Sequence, residues 1–379
     1  MLPGIEVLVR DSAHLIEGKR LGLITNRSGV TREGRSSIDV LHAHAGSELV
    51  ALFAPEHSLR ATEGEGVPID DETDPDTGLP VYSLYGETLA PTPAMLAELD
   101  VLLFDIQDIG ARYYTYVSTM AYAMRAAGES GVPFIVLDRP NPIGGATQGP
   151  VLDPAFASFV GLFPVPARHG MTPGELARLY AGEFGIEVDL RVVPAEGWER
   201  DAWFDETGLP WVAPSPNMPS LESAAHYPGT CLFEGTNLSV GRGTPAAFQL
   251  LGAPWIDGGA WAAALEAHEL PGVRIEPAAF TPRDPSDGKF GGALVSGLRL
   301  SVTDRSLYDP VATSVALLSE ARRLSGERWR WSERHFDRLA GTDELRLAIE
   351  AGVPPTEIAA SWRPDLADFG RLRAPYLLY

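Results

Sequence analysis

The chain has 379 residues, enough for two packed domains. Hydrophobic residues make up 45% and charged residues 21%, a globular balance, and no run approaches the ~20 apolar residues of a membrane span. The net charge of −21 repels nucleic acid and anionic membranes, and the single cysteine, Cys231, excludes both an intramolecular disulfide and a multi-cysteine zinc site.

An anionic small substrate would need a local arginine pocket to overcome that field. Met1 to Arg10 carries no basic segment followed by an apolar core, so no signal peptide is expected and the chain reads as cytoplasmic. Cys231 reads as a small buried apolar residue rather than a nucleophile.

Four short apolar runs in the first third each end in a polar cluster. Arg20–Thr25 ends at Asn26, and Leu49–Phe53 leads to Glu56 and His57. Asp100–Asp105 leads to Gln107 and Asp108, and Val132–Asp138 to Arg139 and Asn141. Helical periodicity lies between them, at Ser36–His44, Pro93–Leu99 and Tyr116–Ala127, the last ended by Gly128. This alternation predicts buried parallel strands with right-handed crossovers. The acidic stretch Ala61–Pro80, with Gly and Pro throughout, reads as a long surface loop, either a cover for the Glu56–His57 strand end or a solvated loop with no role.

Thr172-Pro173-Gly174-Glu175 is a helix start with a capping box, running to about Phe184, with Ile186–Val193 as the next strand. From Pro210 to Pro254 the texture becomes irregular, with Pro214–Pro219, Tyr227–Thr230 and Gly241–Thr244 as loops. Trp255–Tyr379 mixes helices (Trp261–His268, Pro310–Leu324) with a strand at Gly297–Val302 and reads as a smaller α/β unit. The fold class is therefore α/β, with domains expected at 1–228 and 229–379.

In open α/β sheets the ligand crevice lies beyond the carboxyl ends of the strands. That rule gathers the polar strand ends into one candidate site. Glu56 beside His57 is a candidate general acid, and a turn cap is its structural alternative. Asp105 and Asp108 are candidate bases, cation ligands or partners of Arg112, and Tyr114 offers a face for a sugar ring. Asp138 and Asn141 are held by the prolines that follow Arg139 and Asn141. Arg168 and His169 precede a helix N-terminus, a place that binds anions. In the irregular stretch Asn217, Glu234, Asn237 and Arg242 stand out, Glu234 as a second carboxylate. No G-x-G-x-x-G, Walker loop, G-x-S-x-G or H-E-x-x-H occurs, which disfavours dinucleotide enzymes, P-loop enzymes, nucleophile-elbow hydrolases and thermolysin-like proteases.

Taken together, Leu21–Asn26, Phe53–His57, Phe104–Arg112, Leu137–Pro142, Arg168–Thr172, Pro214–Pro219, Tyr227–Asn237 and Phe336–Thr342 resemble the NamZ-like exo-β-N-acetylmuramidase family, long catalogued as a domain of unknown function. The resemblance implies a Rossmann-like N-terminal domain, a smaller C-terminal domain and a site in the cleft between them. It implies an exo-acting glycoside hydrolase that removes terminal β-linked N-acetylmuramic acid from peptidoglycan fragments, with Glu56 as the main catalytic candidate. It also implies that members are often exported. Two departures stand out: Ser58 stands where the family pattern suggests glycine, and no cysteine occurs around Gly288–Gly292.

Glycoside hydrolysis needs an acid for the leaving oxygen and a group that stabilises an oxocarbenium-like state. Glu56 is assigned the first role, with His57 tuning or orienting it. The second falls to Glu234, Asp105 or the substrate's own acetamido group. The lactyl carboxylate of muramic acid would be met by Arg112, Arg168 or Arg242, and Asn26 completes the expected contacts. No metal or cofactor is expected. Two other readings remain: a metal-dependent phosphohydrolase using Asp105, Asp108 and Asp138, and a non-catalytic carbohydrate-binding protein.

Overall fold

The computed structural model describes residues 1–64 and 66–379; residue 65 of the expected covering loop lies outside the described residues. Twelve strands are present among the described residues. They are β1 (Arg20–Thr25), β2 (Glu48–Ala54), β3 (Glu72–Thr73), β4 (Pro80–Ser83), β5 (Val101–Asp105), β6 (Phe134–Leu137), β7 (Gln148–Val151), β8 (Pro166–Arg168), β9 (Leu190–Val193), β10 (Leu250–Ala253), β11 (Val273–Phe280) and β12 (Val295–Val302).

Seven of them form one sheet in the order β3-β4-β2-β1-β5-β6-β9, parallel except for the short β3. Along β1 and β5, alternate residues feed opposite faces, as the strand period of two requires. Leu21, Leu23, Val101 and Leu103 enter one core with Ile5 and Leu8 of the helix Gly4–Asp11 and Leu41 of the helix Ser37–His42. Ile24, Leu102 and Phe104 enter the other, with Met120 and Met124 of Tyr116–Glu129 and Leu176 of Pro173–Glu183. Helices thus cover both faces, and the arrangement is Rossmann-like.

A second, antiparallel sheet, β10-β12-β11, carries the later part of the chain, with Gly258–Leu265 and Pro310–Ser325 packed near it. Its core is continuous with that of the first sheet, since Val315, Phe336 and Trp362 share a cluster with Phe104 and Val136.

Three local expectations change. Tyr227–Thr230 is not a loop but the end of the helix Leu221–Thr230, which contains both Pro228 and the expected division at 228. Pro228 lies in its last turn, and Gly229 lets the helix approach Pro310, whose carbonyl a Cβ would meet at 1.9 Å. Gly128 does not end its helix, which continues to Glu129. It permits close packing instead, because a Cβ there would lie 1.9 Å from the Glu187 carbonyl; Gly131, at φ +69°, makes the turn after the helix. The strand expected from Ile186 begins only at Leu190.

Candidate active site

A cavity of about 400 Å³ opens beyond the carboxyl ends of β2 and β5. Glu56, His57, Tyr114, Asn217, Glu234 and Arg242 of the expected residues all line it. Its volume lies in the range of small-molecule sites.

Glu56 follows β2 and is only 6% exposed. One carboxylate oxygen accepts the Gly66 N–H at 2.9 Å and the other the Thr115 hydroxyl at 2.6 Å. The covering loop thus reaches the carboxylate directly. His57 Nδ1 donates to the Glu63 carbonyl at 2.8 Å, which fixes the ring. The turn that aims these side chains is strained: His57 and Ser58 both sit at φ +72° and Ala61 at +51°.

Glu234 also lines the cavity, from the short 3₁₀ segment Cys231–Gly235. The Arg242 Nε donates to it at 2.6 Å. Burial favours its neutral form, but the Arg242 charge and hydrogen bond, with Lys289 nearby, outweigh that and hold the carboxyl below its ordinary value. Lys289 Nζ donates to the Leu238 carbonyl at 3.0 Å and lies 3.9 Å from Asp287. Burial pulls the Lys289 ammonium down and pushes the Asp287 carboxyl up. His335 also lines this charged end, and burial lowers its pKa. The floor is aromatic, with Tyr113, Tyr114, Tyr227 and Phe248 buried. Cys231 is buried beside Glu234, and desolvation pushes its thiol up, as suits an unreactive packing residue.

The other expected residues lie elsewhere. Asp105 is fully buried, paired with Arg139 at 2.5 Å and hydrogen-bonded by the Ser37 hydroxyl, so it faces no cavity. Asp138 accepts hydrogen bonds from Thr172, Gly174 and Tyr379, which hold the helix Pro173–Glu183. Asn141 bonds Met171 and Ile143, and His169 Nε2 lies 3.3 Å from Asp108. Arg168 donates to Gln148 and the Ile143 carbonyl. Arg112 donates to the carbonyls of Pro150, Val165 and Leu339. Burial lowers Arg112 to about 10, leaving it charged at neutral pH. Asn237 bonds Arg328 and Arg330.

Asn26 donates to the Pro214 carbonyl at 3.1 Å, as does Tyr116 at 2.5 Å. The Pro-rich loop therefore plugs the crevice between β1 and β5 where a Rossmann-like sheet ordinarily takes its ligand. The open space is displaced toward β2.

Sequence reasoning missed Thr115, Ser215, Asp287, Lys289 and His335 in the cavity wall. Thr115 and Ser215 lie inside motifs already singled out, and Lys289 is one of only two lysines. No spacing rule connects residues 287–289 or 335 to Glu56.

Two family models cover nearly the whole chain: the N-terminal model of exo-beta-N-acetylmuramidase NamZ matches residues 21–222 and the C-terminal model residues 225–379. The peptidoglycan beta-N-acetylmuramidase NamZ of Bacillus subtilis (strain 168) is 47% identical over 99% of this chain and 91% of its own length. Two crystal structures of DUF1343 family proteins from Bacteroides fragilis superpose with TM-scores of 0.92 and 0.82, at 37% and 32% identity, each covering 100% of this chain and 98% of the other. The chain belongs to the exo-β-N-acetylmuramidase NamZ family.

Proposed function

We propose that this chain is a glycoside hydrolase that releases non-reducing terminal β-N-acetylmuramic acid from peptidoglycan fragments, with Glu56 as general acid and Glu234 as the ionised group opposite it. The observation that carries this reading is the pairing of two glutamates of contrasting environment in one sugar-sized cavity.

Glu56 has uncharged partners. The Thr115 hydroxyl donates to the carboxylate and, by rotating, accepts from the carboxylic acid, so it supports both protonation states through a catalytic cycle. The Gly66 N–H holds the other oxygen in place. Glu234, held ionised by Arg242, supplies negative charge to an oxocarbenium-like transition state. The substrate's acetamido group remains the other candidate for that role. Arg242 and Lys289 form the basic end that meets the lactyl carboxylate, in place of the enclosed Arg112 and Arg168. The aspartates on which a phosphohydrolase reading depends are committed to Arg139, to His169 and to the start of the helix Pro173–Glu183.

Purified protein assayed on a β-muramide and a β-glucosaminide, with and without chelator, tests the proposal. Turnover of the muramide alone, unaffected by chelator, is expected. Loss of activity in chelator points to the phosphohydrolase-like metal chemistry, and no turnover of any muramide points to a binding protein.

A further inference from the structure

The charged end and the aromatic floor account for one sugar, yet the cavity carries a second aromatic group. Tyr85 and Phe159 also line it, and both are half-exposed, unlike the buried rings of the floor. They therefore mark its open mouth. Their rings lie 5.7 Å apart, and Tyr122 stacks behind Phe159 at 6.0 Å with an interplanar angle of 18°.

The two rings are rigidly presented. Tyr85 follows β4, next to β2, the strand that leads to Glu56, since Leu84 N–H bonds the Ala54 carbonyl at 2.8 Å. Its own carbonyl accepts the Ile69 N–H at 2.8 Å. Phe159 and Val160 form the tip of a tight turn closed by reciprocal Ser158–Gly161 hydrogen bonds of 2.8 and 3.0 Å. The Arg112 side chain packs under that turn, against Gly161, where a Cβ would come within 3.2 Å of it. Aromatic faces at the mouth of a sugar-sized cavity offer an apolar surface against which a pyranose ring packs.

We propose that Tyr85 and Phe159 form the aglycone subsite, a platform for the pyranose ring on the leaving-group side of the scissile bond. This rests on the functional reading above. The muramic acid occupies the closed, charged end, Glu56 protonates the bridging oxygen, and the departing sugar lies against the two rings at the mouth. Arg112 is a positioning residue for the Phe159 turn.

The test compares two substrates: the disaccharide in which N-acetylmuramic acid is β-linked to N-acetylglucosamine, and β-muramyl fluoride, whose leaving group has no ring. Phe159→Ala and Tyr85→Ala should each lower kcat/KM for the disaccharide by roughly 5- to 10-fold and leave the fluoride at its wild-type value. Phe159→Tyr should restore the disaccharide rate. Equal losses on both substrates, or no loss on either, overturn the assignment. Wild-type protein that turns over neither substrate overturns the functional reading instead, so the two failures are distinguishable.

Discussion

The carboxyl edge of the large sheet carries two kinds of polar strand end. At β5 and β6, Asp105, Asp138 and Asn141 are wholly enclosed, and their hydrogen bonds go to Arg139, to the helix Pro173–Glu183 and to loop backbone. At β2, Glu56 meets two light donors and open space. The residue types are alike and so is their place in the topology. What differs is whether the later chain fills the volume above them. Pro214 accepts hydrogen bonds from Asn26 and Tyr116 over β1 and β5, whereas Glu234, Arg242 and Lys289 line an open chamber together with Glu56. Buried polar groups at a ligand-binding edge thus divide into those that hold the loops and those the loops leave exposed to substrate.

That contrast can be broken most sharply at Glu56. Glu56→Gln should reduce kcat/KM on a β-muramide by ~10²–10⁴-fold without changing the thermal midpoint. A loss under about tenfold would remove Glu56 from the acid role. Asp105→Asn should do the reverse. It leaves Arg139 buried without its counter-charge, so stability should fall by about 3–5 kcal/mol in urea titration, while the folded fraction keeps its turnover. A stable but inactive Asp105→Asn protein would erase the distinction between the two ends.

Asp138 sharpens it through pH. Burial raises its carboxyl to about 6, against the hydrogen bonds from Gly174, Thr172 and Tyr379. The same group in the unfolded chain titrates near ~3.9. Between those values the unfolded state gives up its proton first, so this residue's contribution is most favourable below the lower value and declines as pH rises toward about 6. Asp138→Asn should flatten the fall in melting temperature over that interval; an unchanged slope would refute the assignment. The smallest effect is expected at Ser58, which holds a left-handed conformation at φ +72°. Ser58→Gly should add up to about 1 kcal/mol of stability, read as a higher melting temperature.

The strand ends were legible because buried parallel strands announce themselves as short apolar runs. β1 matches its expected bounds, and β2, β5 and β12 come within two residues of theirs. Proline and glycine misled at Leu221–Thr230, where they serve helix packing rather than a turn. β11 went unread because its residues are mostly half-exposed or exposed and carry Pro277, so no apolar run marks it. Of the site, Glu56, His57, Tyr114, Asn217, Glu234 and Arg242 were legible from motifs. Arg112 and Arg168 were not separable from them, because an arginine that binds an anion and one that ties carbonyls together look identical in sequence. Asp287, Lys289 and His335 reach the cavity only through tertiary folding of the second sheet and the helix Glu333–Ala340.

The chamber wall draws on residues as far apart as Glu56 and His335. A ribosome making this chain finishes Glu56, the proposed acid, early, and Arg242, Lys289 and His335 of the proposed basic wall late. Nascent and prematurely terminated products therefore carry half a catalytic apparatus and should leave glycan strands intact. On that reading, hydrolytic capacity becomes available only when synthesis has passed the last of these residues.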